Sequence, residues 1–179
     1  MRRALLAAVA AISLAGTASA ETYSTANWYD DGGFAVKRVT ADSTGYRFCS
    51  MERGNFSDKV FTITADGTAK IVMTLVDVRH TWTPGQVRLW VDGRSWTAVA
   101  TTPAQYPNQL VITATPGVGS EAFFTAMGYG QRLTIQGQGA PIPFSYDVAL
   151  SGSQAAMTSL VQCVGSLRRT PQVHHEVIS

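Results

Sequence analysis

Histidine, the side chain best suited to acid–base work near neutral pH, occurs three times in this 179-residue chain, as His80, His174 and His175. His80 sits in Asp77-Val78-Arg79-His80-Thr81-Trp82, where a catalytic reading makes it a base oriented by Asp77. A three-residue offset at a strand end does not favour that contact, and a solvated loop histidine is the simpler expectation. His174, His175 and Glu176 have the composition of a metal cluster, yet adjacent residues on a terminal tail lack the fixed geometry of a site, so no metal site is expected. Asp30, Asp31, Asp42, Glu52 and Asp77 are acids that the fold could bring together as a glycosidase does, but no spacing selects a pair. Gly-x-Ser-x-Gly, Ser-x-x-Lys and His-Glu-x-x-His are all missing from the sequence. Gly137-Gln138-Gly139-Ala140 precedes a Pro-containing strand instead of a helix, which makes it a turn and not a dinucleotide fingerprint. No catalytic residue and no cofactor is therefore expected.

The two cysteines carry more. Residues 1–20 read as a secretory leader: Arg2 and Arg3 form a positive end, Ala4 to Ala15 an apolar stretch too short for a span, and Ala18-Ser19-Ala20 a cleavage site before Glu21. A periplasmic or secreted location follows, and with it an oxidising compartment. There Cys49 and Cys163 are expected to form a disulfide; the competing readings, a redox or zinc motif or a free nucleophile, lack the required spacing or a basic partner. Such a bridge closes a loop of 114 residues, worth about 4–5 kcal/mol in the chain-entropy model.

Aromatic side chains supply candidates for recognition: Trp28, Tyr29, Trp82, Trp90 and Trp96. The segment Gln86 to Val91, the turn Asp92-Gly93 and Arg94 to Ala100 read as a hairpin with a two-residue type I′ turn. In that register Val87, Leu89, Val91, Trp96 and Ala98 share a buried face, whereas Arg88, Trp90, Ser95 and Thr97 share the opposite, polar one. Trp90, with Arg88 beside it, is thus the candidate partner-binding site, for an envelope or host protein or a glycan. Asn55-Phe56-Ser57 also fits a glycosylation sequon, relevant in a eukaryotic secretory path.

The elements that would position these residues are mainly β. Gly, Pro and Asp-Gly punctuate the chain about every ten residues, with period-2 segments between them. Strands are expected at Thr22 to Tyr29, Phe34 to Thr40, Tyr46 to Met51, Gln109 to Ala114, Arg132 to Gln136 and Pro143 to Ala149. A further hairpin turns at Ala65-Asp66-Gly67, with Ile63 facing Ala69 and Phe61 facing Ile71. One helix is expected near 119–127, capped by Ser120, carrying Phe123, Phe124 and Met127 inward and ending at Gly128. A second is expected near 153–164, capped by Ser151 or Ser153, with Met157, Leu160, Val161 and Val164 as its apolar stripe and Gly165 as its terminator. The expected architecture is an antiparallel β-sandwich or flattened barrel: leader 1–20, a single domain 21–169, and a loose tail 170–179.

Charge excludes other classes. Removing Arg2 and Arg3 with the leader leaves 12 of 14 basic residues against 12 acidic ones, a neutral domain without the basic footprint of nucleic-acid binding. No transmembrane segment is expected after cleavage.

Several motifs also occur in a telling order. Gly128-Tyr129-Gly130 closes a short helix, followed by Arg132-Leu133-Thr134-Ile135, Pro143-Phe144, the run Ala149 to Met157 and a cysteine helix, with Phe48-Cys49-Ser50-Met51 early in the chain. This order resembles small periplasmic proteins of alphaproteobacteria akin to the invasion-associated locus B group, over about half of the mature chain. The resemblance implies a periplasmic or surface β-rich protein without established enzymatic activity and no catalytic residues to carry over. Two functional classes follow for testing: a non-enzymatic binding or envelope-interaction module, and a small secreted hydrolase or isomerase whose polar groups converge only in the fold.

Overall fold

A computed structural model describes residues 21–31, 33–54, 57–68, 70–113, 118, 120–138 and 144–169. The expected leader, the tail with His174, His175 and Glu176, and Asn55 and Phe56 of the sequon lie outside these residues. The strands are β1 (Tyr23–Asp30), β2 (Ala35–Ala41), β3 (Arg47–Gly54), β4 (Lys59–Asp66), β5 (Ile71–Asp77), β6 (Gly85–Val91), β7 (Arg94–Thr101), β8 (Gln109–Thr113), β9 (Arg132–Gln138) and β10 (Ser145–Ala149). The helices are α1 (Glu121–Tyr129) and α2 (Ser153–Arg169). No helix among the described residues is long and apolar enough to cross a membrane.

All ten strands form one antiparallel sheet in the order β1-β2-β3-β4-β5-β8-β7-β6-β9-β10, which is not closed and leaves β1 and β10 as edges. Mainly β architecture with a C-terminal helix is what the alternation predicts. One face of every central strand feeds a single core, from Val36, Cys49, Met51, Phe61, Ile63, Met73 and Leu75 through Leu110, Ile112, Leu89, Ile135 and Val148. The helices complete it. Phe123 and Met127 of α1 are fully buried, Trp96 meets Phe123 edge-on at 5.2 Å, and α2 lies along β1 to β4.

The β6–β7 hairpin has the predicted register, with Val91 opposite Arg94 and Leu89 opposite Trp96. Asp92 and Gly93 both take positive φ, 45° and 86°, as a type I′ turn requires. The β4–β5 hairpin differs from expectation: Ala65 faces Ile71, Ile63 faces Met73 and Phe61 faces Leu75. The cause is the Asp66 carboxylate, whose Oδ1 accepts from the Thr68 amide (2.8 Å), the Thr68 hydroxyl (2.7 Å) and the Lys70 amide (3.1 Å), stabilising a wider loop. The shift is an even number of residues, so the same side chains still point inward.

Both helices run past their expected ends. Ser120 caps α1 through its hydroxyl, which accepts from the Phe123 amide, but the helix passes Gly128 and stops at Gly130. Gly130 is needed for close approach, since a Cβ there would lie 2.4 Å from Val91 Cγ1 and 2.7 Å from the Ala126 carbonyl. Helix α2 continues through Gly165 to Arg169. A mid-helix glycine costs about 1 kcal/mol, which burial of Leu167 on the core offsets, and Arg168 Nε donates to the Gly67 carbonyl at 3.0 Å. The buried stripe is Ala156, Leu160, Cys163, Val164 and Leu167, whereas Val161 is 71% exposed, contrary to expectation. Ser153, expected as a cap, donates its hydroxyl to the Met127 carbonyl (2.7 Å) and ties α2 to α1. The Cys49–Cys163 disulfide is present, with Cα atoms 6.1 Å apart and both residues fully buried.

Candidate functional site

Outward-facing positions of β7, β6, β9 and β10 line up in two rows. Ser95, Trp90, Thr134 and Asp147 are directly opposed across the four strands, as are Thr97, Arg88, Gln136 and Ser145. At a strand spacing of about 4.8 Å the rows span roughly 14 Å. Ser95, Thr97, Gln136, Ser145 and Asp147 are exposed; Trp90, Arg88 and Thr134 are half-buried. Trp90 is therefore less open than the sequence suggests. Its Nε1 atom is buried and has no hydrogen-bond partner, and the Arg88 guanidinium lies over its ring, 5.7 Å from the centroid. Thr134 donates to Asp147 Oδ1 (2.6 Å), and Arg132 stands 3.6 Å from Asp147 Oδ2. The hairpin tip is anchored, because Asp92 Oδ2 accepts from the Gln131 amide at 3.0 Å. This face is thus polar, with one half-buried indole set within its two rows of hydroxyl, amide and charged side chains.

The other sequence candidates are dispersed. Asp31 closes the β1–β2 turn: Oδ1 accepts from the Gly33 (2.8 Å) and Phe34 (2.7 Å) amides, and Oδ2 from Tyr29 (3.0 Å). These bonds hold its carboxyl below the ordinary value. Glu52, nearly buried on β3, accepts from Lys37 Nζ (2.6 Å) and Ser50 Oγ (3.1 Å). Asp30 and Asp42 sit at opposite ends of the β1–β2 hairpin, which does not pair them. Among the described residues no three His, Cys, Asp or Glu side chains gather into a metal-holding group.

His80 and Asp77 belong to a second cluster, at the end of β5. Asp77 accepts from the Arg79 amide (3.0 Å) and stands 3.3 Å from Lys59 Nζ, while the His80 amide donates to the Asp77 carbonyl at 3.1 Å. Burial raises the Asp77 pKa, but the Arg79 amide and the Lys59 charge, helped by His80, outweigh it, and the carboxyl lies below its ordinary value. The His80 ring lies 4.3 Å from the Trp82 ring at a 59° tilt, and Trp82 in turn packs against Phe144 (4.8 Å) and Tyr146 (6.3 Å). Lys59 Nζ lies 5.7 Å from the Tyr146 ring centroid. Burial, with Asp77 and Asp58 nearby, raises the Tyr146 pKa. Sequence reasoning missed Phe144, Tyr146 and Lys59; alternation along β10 marks Tyr146 as facing the core, but nothing local shows that the start of β4, with Lys59, comes near it.

Trp82 is a strut here: its amide donates to the Pro107 carbonyl (2.9 Å) and its Nε1 to the Asn108 carbonyl (2.9 Å), strapping the β5–β6 connection to the β7–β8 loop. Trp96 faces the core. Trp28, 40% exposed, is the extra residue of a bulge between Asn27 and Tyr29 on edge strand β1.

No family model matches this sequence, and neither does any curated protein. Among solved structures the chain is similar to invasion associated protein B from Bartonella henselae, with a TM-score of 0.49 and 15% identity, covering 71% of this chain and 92% of that one. That protein belongs to the group the sequence motifs resemble.

Proposed function

We propose that this protein is exported, periplasmic or secreted, and acts as a non-enzymatic binding module whose recognition surface is the outer face of β7, β6, β9 and β10, centred on Trp90 and Arg88. The observation that carries this reading is the half-buried indole with an unsatisfied N–H, set among exposed polar side chains on an anchored hairpin. A buried donor left unmade costs about 1–3 kcal/mol, a cost that an oxygen acceptor on a bound ligand would remove. The Cys49–Cys163 disulfide supports export, since such bridges persist in oxidising compartments, and the leader-like residues 1–20 agree with it.

Three of the five acids that an enzyme could use have structural work: Asp31 closes a turn, Glu52 pairs with Lys37, and Asp77 pairs with Lys59. Immobilised mature protein should retain an envelope component that Trp90→Ala and Arg88→Gln release, with N-terminal sequencing of the exported form starting at Glu21. Equal retention by wild type and both variants would move recognition away from this face.

A further inference from the structure

We propose that edge strand β1 is a self-association surface: two copies of the chain join antiparallel along Tyr23 to Asn27, about a two-fold axis at Thr25, so that their sheets run on into one. This goes beyond the binding face of β7, β6, β9 and β10 and does not depend on it.

The backbone bonds of the β1–β2 hairpin show which groups β1 leaves open. The Asp42 amide donates to the Thr22 carbonyl at 2.9 Å, so Thr22 and Asp42 are a hydrogen-bonded pair, and by alternation Ser24 with Thr40 and Ala26 with Arg38 are the next ones. On the other side of β2 the Ala41 amide donates to the Tyr46 carbonyl at 2.8 Å, so Ala41, Val39 and Lys37 turn their backbone groups to β3. The residues opposite them, Tyr23, Thr25 and Asn27, therefore turn their N–H and C=O groups outward, where no strand among the described residues lies beside β1. Ser24 to Trp28 are all exposed. Edge strands are commonly guarded by lysine, proline or a bulge. The stretch Tyr23 to Tyr29 holds neither lysine nor proline, and its bulge comes only at Trp28. Beyond it the chain enters the β1–β2 turn, where Asp31 lies against Gly152, and the open edge ends.

A second copy fits this edge because the open residues are spaced evenly about Thr25. In antiparallel register Tyr23 meets Asn27 of the second copy, Thr25 meets its own counterpart, and Asn27 meets Tyr23, each as a pair that exchanges two backbone hydrogen bonds. A threonine pair is favourable across strands. The same register sets Thr22 opposite Trp28, which is 40% exposed, and Glu21 opposite Tyr29, so no like charges meet. The pairing uses an edge and not the face of β7, β6, β9 and β10, so a dimer carries that face twice.

The test is sedimentation equilibrium of the full mature chain from about 1 μM to about 1 mM. A short strand interface lies at the weak end of specific contacts, and a monomer–dimer equilibrium with a dissociation constant of about 10–100 μM is expected. Thr25→Pro removes an amide that β2 does not use, and Thr25→Lys sets two ammonium groups face to face on the axis. Each should weaken dimerisation about ten-fold or more, with circular dichroism and melting close to wild type. Thr25→Cys should cross-link into a dimer on mild oxidation, since the Cα atoms of a hydrogen-bonded pair lie about 5.5 Å apart. Ser24→Cys, whose counterpart across the axis is Ala26, should not.

A wild type that stays monomeric throughout overturns the proposal, whichever other strand the edge accepts. So does wild-type dimerisation of a folded Thr25→Pro or Thr25→Lys protein, or cross-linking of Ser24→Cys as readily as Thr25→Cys. If Thr25→Pro fails to fold, Thr25→Lys and the two cysteine variants decide.

Discussion

Asp77 shows how a residue that looks chemical in sequence becomes structural in the fold. Its side chain bonds the Arg79 amide and pairs with Lys59, and its backbone carbonyl accepts the amide that closes the turn at His80. The offset that argued against a His80–Asp77 dyad was legible, because three residues fit a tight turn in which the backbone makes the contact. The partners Lys59 and Tyr146 were not, since only the folded sheet brings them near. With its folded pKa below the unfolded value, Asp77 contributes stability that is complete above the unfolded pKa of about 3.9 and is lost as pH falls through the folded one. The melting-temperature advantage of wild type over Asp77→Asn should therefore hold near neutral pH and shrink below about pH 4. Asp31 and Asp66, also lowered, are present in both proteins and cancel. A difference that stays constant down to pH 2–3 would mean that the Asp77 charge is not stabilised by folding.

At the scale of elements, the two hairpins mark where local reading succeeds and fails. Asp92-Gly93 dictates its own turn because both residues tolerate positive φ, so the register of β6 and β7, and with it the outward position of Trp90 and Arg88, follows from two residues. Asp66-Gly67 looks similar, but the Asp66 carboxylate recruits amides as far as Lys70, an interaction that turn statistics do not contain. In α2 the expected stripe of Met157, Leu160, Val161 and Val164 is displaced, because the disulfide turns Cys163 into the core. That rotation carries Val161 outward and brings Leu167 in across Gly165. Leu167→Ala should cost about 2–4 kcal/mol, and Val161→Ala less than about 0.5 kcal/mol, read by chemical denaturation. Equal losses would mean that the helix is rotated from the position described.

For the whole molecule, one sheet of ten strands buries a single core, and α2 covers its first half. The β class and the disulfide were legible from turn spacing and from a pair of cysteines behind a leader-like segment. The strand order was not: β8 lies beside β5 because β6 and β7 are inserted as a hairpin, and that choice depends on distant contacts such as the Trp82 strap. The disulfide joins an early strand to the last helix across 114 residues. Replacing both cysteines by serine should cost roughly 2–5 kcal/mol, and in the reduced protein the amides of α2 should lose hydrogen-exchange protection before those of β4 and β5. Simultaneous loss would make helix and sheet one cooperative unit.

The central claim, that the β6–β7 hairpin packs with one face and binds with the other, is tested most directly by measuring stability and ligand retention together in Trp90→Ala and Trp96→Ala. These residues lie on adjoining strands of the same hairpin, Trp96 on the core face against Phe123 and Trp90 on the outer face under Arg88. Trp96→Ala should lower stability by about 3 kcal/mol or more. Trp90→Ala should leave the melting temperature nearly unchanged, at a cost below about 1 kcal/mol, and lose retention of the envelope ligand. A Trp90→Ala protein that is strongly destabilised, or that is stable and retains the ligand as wild type does, would contradict the account.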